Sequence, residues 1–372
     1  MYCPPPDRVL VAEQVQDVAG VLDQVQQATD AGRWAFGFVA YEAAAGLDPH
    51  LAVHDRRDGD LPLVWFGIGD EPVRVPPVSP DDAGPPYRAR WTPAWTRRGH
   101  ADQLQRIRRH IAAGDSFQCN LTVRLTGQVH GDLGSLYRDL AVRQQGAHNS
   151  FLDLGHRVIV SASPELFFER RGDRLLLRPM KGTARRGRNS DEDRQLAEAL
   201  RASPKERAEN IMILDLMRND VSRIARTGSV RVPAMLTVER YETVHQLTSD
   251  VTARLRPNVG LLELFRALFP CGSITGAPKA RSMDIIRTVE PEPRGVYCGA
   301  IGLVGPPGAP VRARFSVGIR TVVVDPVTGD AVYGVGSGIT WPSTTSDEHA
   351  ELVAKTAVLP TGPAAVSRPV AG

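Results

Sequence analysis

Between residues 98 and 125 the sequence changes its hydrophobic period, and that change constrains the fold more than any other feature. Leu104, Ile107 and Ile111 share one face of a helix predicted over about 98–113. After Gly114-Asp115 the pattern becomes a clean alternation. Phe117, Cys119, Leu121, Val123 and Leu125 point one way, and Gln118, Asn120, Thr122 and Arg124 the other. A helix running straight into such a strand calls for helical and sheet layers in one fold.

The rest of the chain repeats the mixture. A helix is expected around 11–30, with apolar strands near 34–41 and 61–68. Seven prolines in 71–96 predict an extended surface connection. A strand follows at 157–163, and segments 165–170 and 174–179 flank Arg171-Gly172-Asp173 as a hairpin. Ser203-Pro204-Lys205-Glu206 supplies an N-cap, a first-turn proline and a third-position glutamate, so a helix starts there. Further strands are expected near 297–304, 313–324 and 330–336, and a last helix from about Ser346-Asp347. The tail 359–372 is expected to be disordered.

Composition excludes several classes. A net charge of +3 on 372 residues gives no reason to expect nucleic acid or a membrane surface as partner. No apolar run is long enough to span a bilayer, and the N-terminal segment lacks the basic flank and apolar core of a signal peptide. Cys3, Cys119, Cys271 and Cys298 are widely spaced, as expected of reduced thiols in a cytoplasmic protein. Basic residues are almost all arginine. The only lysines are Lys181, Lys205, Lys279 and Lys355. Lysine can lose its proton near neutrality where arginine cannot, so these four positions are worth testing for chemistry.

Three clusters could carry it. Pairing of the hairpin about Gly172-Asp173 brings Glu165 within a residue or two of Met180-Lys181; an ordinary strand-end ion pair is the plain alternative. On the last helix Glu348, Glu351 and Lys355 share a face, either as a solvated pair or as hard oxygen ligands beside a cation. Glu209 could add a carboxylate from a second helix. Gly334, Gly336 and Gly338 could present backbone N–H groups to an anion, though a tight turn explains them equally well. An acidic metal patch beside anion-receiving turns suits a small polycarboxylate.

The same segments resemble the chorismate-binding enzymes, which include anthranilate synthase large subunits, aminodeoxychorismate synthase component I, and isochorismate and salicylate synthases. The resemblance runs from about 98 to 358 through FQCNLTVRL, SPELFFER, MKGTARRG, AENIMILDLMRND, FPCGSITGAPKARSMDII, YCGAIG, IRT and a final E-x-x-E-x-x-x-K. GFVAYEAAAGLDP, near 37–49, resembles the para-aminobenzoate branch. The implied fold is α+β, one large sandwich of two face-to-face β-sheets with helices outside. Residues 1–96 would belong to that fold and 97–358 would form the catalytic region.

The resemblance also implies site residues. Lys181 stands where anthranilate synthases carry alanine, and Gln118 where isochorismate and salicylate synthases carry a water-activating lysine. Lys181 would be the nucleophile and Glu165 the acid and then the base. Glu209, Glu348 and Glu351 would surround Mg²⁺, which grips the ring carboxylate. Tyr297, Arg320 and the amides of Gly336, Ser337 and Gly338 would hold the enolpyruvyl carboxylate. His245, Thr275, Gly276 and Lys355 would complete the pocket. Ser337 departs from the usual three glycines. The implied reaction is amination of chorismate at C4 by ammonia, supplied through a separate glutaminase subunit. Amination at C2, as in anthranilate synthase, is the closest rival, and a non-catalytic chorismate-binding scaffold a more distant one.

Overall fold

The protein is described by a computed structural model covering residues 1–82, 84–241 and 244–360. The first part of the chain forms β1 (Arg8–Ala12), α1 (Val18–Asp30), β2 (Trp34–Val39), α2 (Ala44–Leu47), β3 (Val64–Gly69) and β4 (Tyr87–Pro93). Then come α3 (Arg97–Ala112), β5 (Gln118–Gly131), α4 (Leu133–Gln144), β6 (His148–Asp153) and β7 (Val158–Ser163). The middle of the chain holds β8 (Leu166–Arg171), β9 (Arg174–Arg178), β10 (Met180–Arg185), α5 (Ser190–Ala202) and α6 (Pro204–Ser222). It continues with β11 (Thr237–Arg240), β12 (Val244–Thr248), β13 (Val251–Arg254), α7 (Leu261–Leu268), β14 (Gly276–Ala277) and α8 (Lys279–Val289). The chain closes with β15 (Ala300–Val304), β16 (Ala313–Val317), β17 (Thr321–Val324), β18 (Asp330–Thr340) and α9 (Thr345–Thr356).

Two large sheets form the sandwich. One runs β1-β3-β2-β15-β16-β8-β9-β13, the other β14-β5-β18-β17-β7-β6, with β4 pairing onto β5. Phe38, Ile301 and Val296 from the first side meet Ile159 from the second in a core shared between the sheets. The outer face of the first sheet packs under α1, α6 and α7 through residues such as Leu22, Ile213 and Phe265. The second is covered by α4 and α9 through Leu136, Leu140 and Leu352, and by α3 and α8 through Leu104, Ile107, Ile285 and Ile286. This is the expected sandwich, with one addition: β10, β12 and β11 make a separate three-stranded sheet.

Several local expectations are corrected. Residues 11–17 are not helical, because Val11 and Ala12 pair with β3 and the helix begins only at Val18. The proline-rich connection contains β4, whose alternate residues Tyr87 and Ala89 are buried against the second sheet. The segment 313–324 is two strands in different sheets. Gly318–Arg320 carries the chain across, with Arg320 at φ +53°. In β5 both faces are buried: Gln118, Asn120 and Thr122 are as enclosed as Cys119 and Leu121. The apolar side meets helices, while the polar side lines the site described next. Phe117 lies before the strand and is exposed. At the chain end Leu359 is packed into the core, and residues 361–372 lie outside the described residues.

Candidate active site

The hairpin β8–β9 turns at Gly172-Asp173 with Arg171 opposite Arg174, and its open end carries Glu165 just before β8. The Glu165 backbone is pinned on both sides. Its N–H donates to Ser163 Oγ at 3.2 Å, and its carbonyl accepts from Val317 N–H at 3.1 Å. The side chain is buried, and burial pushes its carboxyl up to about 7. The Ser273 hydroxyl, the Lys181 ammonium and the Met180 amide pull the other way. The sequence therefore placed the Glu165 and Lys181 charges together correctly. Glu165 Oε1 has no hydrogen-bond partner among the described residues.

Lys181 leaves β10 toward β5 and β18. A Cβ on Gly338 would lie 3.3 Å from Lys181 Nζ and 2.4 Å from Gln118 Nε2, so only glycine leaves room for both side chains. Gln118 is fully buried, and both ends of its carboxamide lack partners among the described residues. Leaving an amide buried and unpaired is costly, which marks this as a place where a polar ligand belongs.

Gly336, Ser337 and Gly338 are not a turn. They lie in β18, opposite Thr122, Leu121 and Asn120 of β5. The pairing of β17 with β18 ends at Tyr333, so past that point β18 has an edge free of β17. Lys355 Nζ donates to Gly336 O at 2.8 Å and pairs with Glu351 at 2.6 Å. Burial lowers the Lys355 ammonium pKa against the pull of Glu351, with Arg320 and Lys181 adding to the drop. Arg320 Nη1 donates to the Lys355 carbonyl at 2.9 Å, tying β17 to the last turn of α9. Tyr297 is buried with its ring over Gly334, where a Cβ would come within 2.3 Å of it.

The acidic patch gathers α6 and α9. Burial pushes Glu209 up to about 7 against Lys181 and Lys205, and its Oε1 lacks a partner among the described residues. Glu348 Oε1 accepts from Ser343 Oγ at 2.7 Å and lies 4.0 Å from Lys205 Nζ, while Oε2 lacks a partner among the described residues. Burial pushes Glu351 up, but Lys355, Lys181 and Lys205 outweigh it and hold the carboxyl below its ordinary range. Hard oxygens without partners suit a divalent cation chemically. Among the described residues no three acidic, His or Cys side chains stand close enough to form a finished metal cage.

Thr275, Gly276 and His245 are held by the protein itself. Thr275 Oγ1 donates to Cys271 O, and Gly276, at φ +151°, pairs with Cys119. His245 Nε2 meets Asp193 at 2.9 Å in a fully buried position on β12, and its Nδ1 has no partner among the described residues. Asp193, Ser273 and Lys205 are the polar residues that sequence reading did not place at the site. Lys205 carried a signal as one of four lysines and Ser273 lay inside a quoted motif, whereas nothing in the sequence marked Asp193.

A profile of chorismate binding enzymes matches residues 73–360. The chain belongs to this family. It is 36% identical to aminodeoxychorismate synthase component 1 of Klebsiella aerogenes, over 86% of this chain and 75% of that one. It is 40% identical to anthranilate synthase component 1 of Streptomyces coelicolor, over 71% of this chain and 51% of that one. The chain thus spans from about half to three quarters of these relatives' length. The crystal structure of anthranilate synthase component I from Streptococcus pneumoniae superposes with a TM-score of 0.79 at 25% identity, covering 97% of this chain and 93% of that one. Among the described residues no helix is long and apolar enough to cross a membrane.

Proposed function

We propose that this enzyme aminates chorismate at C4 with ammonia, giving 4-amino-4-deoxychorismate. One observation carries the reading: Lys181 and Glu165 act on one another in a buried site next to the unpaired Gln118 amide. Lys181 nitrogen attacks C2, the ring double bond shifts, and the C4 hydroxyl leaves as water with the proton from Glu165. Ammonia then adds at C4, the double bond returns, and the C2–N bond breaks with its electron pair going back to Lys181. Glu165, now ionised, takes the proton from the adding nitrogen. A carboxyl poised at about 7 suits both duties.

Glu209, Glu348 and Glu351 would hold Mg²⁺, which when bound supplies positive charge for the ring carboxylate. Lys355 and the free edge of β18 favour the second carboxylate, with Arg320 and Tyr297 alongside. Ammonia would come from a separate glutaminase subunit, and the product would serve para-aminobenzoate and folate synthesis in the cytoplasm. The deciding experiment supplies chorismate, Mg²⁺ and ammonium at raised pH and identifies the product by chromatography. 4-Amino-4-deoxychorismate is expected; anthranilate would overturn the reading in favour of amination at C2.

A further inference from the structure

Glu165 is held by a turn that the reaction scheme above does not use. Residues 271–275 are clamped from three directions. Thr275 O accepts from Asn120 N–H at 2.8 Å, Ile274 O accepts from Arg294 Nη1 at 2.8 Å, and Cys271 O accepts from Thr275 Oγ1 at 3.1 Å. Arg294 is itself fixed by Glu290 at 2.7 Å, and Glu290 accepts from Thr122 N–H at 2.8 Å. The turn is therefore built on β5 and a buried ion pair, and it projects a single hydroxyl, Ser273, onto the Glu165 carboxyl.

That hydroxyl has one proton, and its direction is set from behind. Cys271 Sγ lies 3.2 Å from Ser273 Oγ. Burial pushes the Cys271 thiol up to about 12, so its S–H stays intact and can donate to Ser273. The Ser273 proton is then free for Glu165. Since Glu165 Oε1 has no partner among the described residues, the hydrogen bonds from Ser273 and Met180 fall on the other oxygen.

We infer that Ser273 is a positioning residue: it ties down one oxygen of Glu165 and leaves the other open for proton transfer beside Lys181. The tied oxygen fixes which lone pair meets substrate, and the hydrogen bond supports the ionised form that the second half of the reaction needs. The charged and titratable groups facing Glu165 are Lys181 from β10 and Cys271 from the turn. Glu209 from α6 and Glu351 and Lys355 from α9 are coupled to Lys181 behind it.

The inference rests on the role given to Glu165 above, and its test compares Ser273→Ala with Cys271→Ala in the full chain. Both substitutions remove one heavy atom from the same packed turn, but only the first removes the hydroxyl. In Ser273→Ala the high-pH limb of kcat/KM for chorismate should move up by roughly one to two pH units, the size of one hydrogen bond to an ionised group. In Cys271→Ala it should stay near wild type, with melting temperatures checking that both variants fold. An unmoved limb in Ser273→Ala, or equal movement in both variants, overturns the inference. The profile can be followed with whichever product the enzyme makes, so a failure of C4 amination would show separately in the product assay.

Discussion

At the residue scale the site depends on one proton and one lone pair. Lys181→Arg keeps the charge and much of the size but loses the nucleophile, so its turnover should fall to the level of Lys181→Ala. Steady-state rates of the two variants check this, and an arginine variant as fast as wild type would remove the covalent step. Glu165→Gln should cost roughly 10²–10⁴-fold in turnover, the usual range for a lost acid–base group. The same substitution should stabilise the fold in alkali. The folded carboxyl titrates at about 7 against an ordinary 4.5, so the protonated form is favoured in the native state. That contribution is complete below pH 4.5 and is lost as pH rises through 7. Melting curves should therefore show Glu165→Gln gaining over wild type at pH 8 and little difference at pH 4.

Elements place these groups, and their capping and pairing can be tested one at a time. The Thr344 side chain accepts from Asp347 N–H at the start of α9, the helix that carries Glu348, Glu351 and Lys355. Thr344→Ala should lower stability by about 1 kcal/mol, read by denaturant midpoint at unchanged m-value. Gly338→Ala would drive a methyl group into Gln118 and Lys181, so activity should collapse with the fold retained by circular dichroism. Much at this scale was legible in the sequence. The Ser203 cap of α6, the hairpin about Gly172-Asp173 and the inward polar side of β5 follow from local chemistry that the structure keeps. What was hidden depended on distant partners. Nothing local tells Val317 and Thr321 that they belong to different sheets, because both neighbourhoods are apolar and β-branched. The glycines of β18 look like a turn until β5 pairs with them along the whole strand. Asp193 gains meaning only when α5 folds against His245 of β12.

For the whole molecule the open question is the nitrogen source. Burial pushes the thiols of Cys119, Cys271 and Cys298 up to about 12, and that of Cys3 is also raised, chiefly by burial. A thiol so held is a poor nucleophile toward an amide. The purified chain should therefore form product with ammonium at raised pH and none with glutamine alone. Robust glutamine-dependent product would reveal an amide-hydrolysing centre within this chain.

The pairing of β2 with β15 has a consequence for how the protein is made. Val39 lies opposite Ala300 and Ala35 opposite Val304, so a strand from the first tenth of the chain waits for one from the last quarter. During synthesis β1, β3 and β2 emerge early, and one edge of β2 stays open until roughly 300 residues have been added. At about 5–20 residues per second that wait lasts on the order of tens of seconds. An uncovered strand edge of this kind is a template for wrong pairing. Yield of soluble protein should therefore respond to translation speed and chaperone supply more than to the stability of the finished fold.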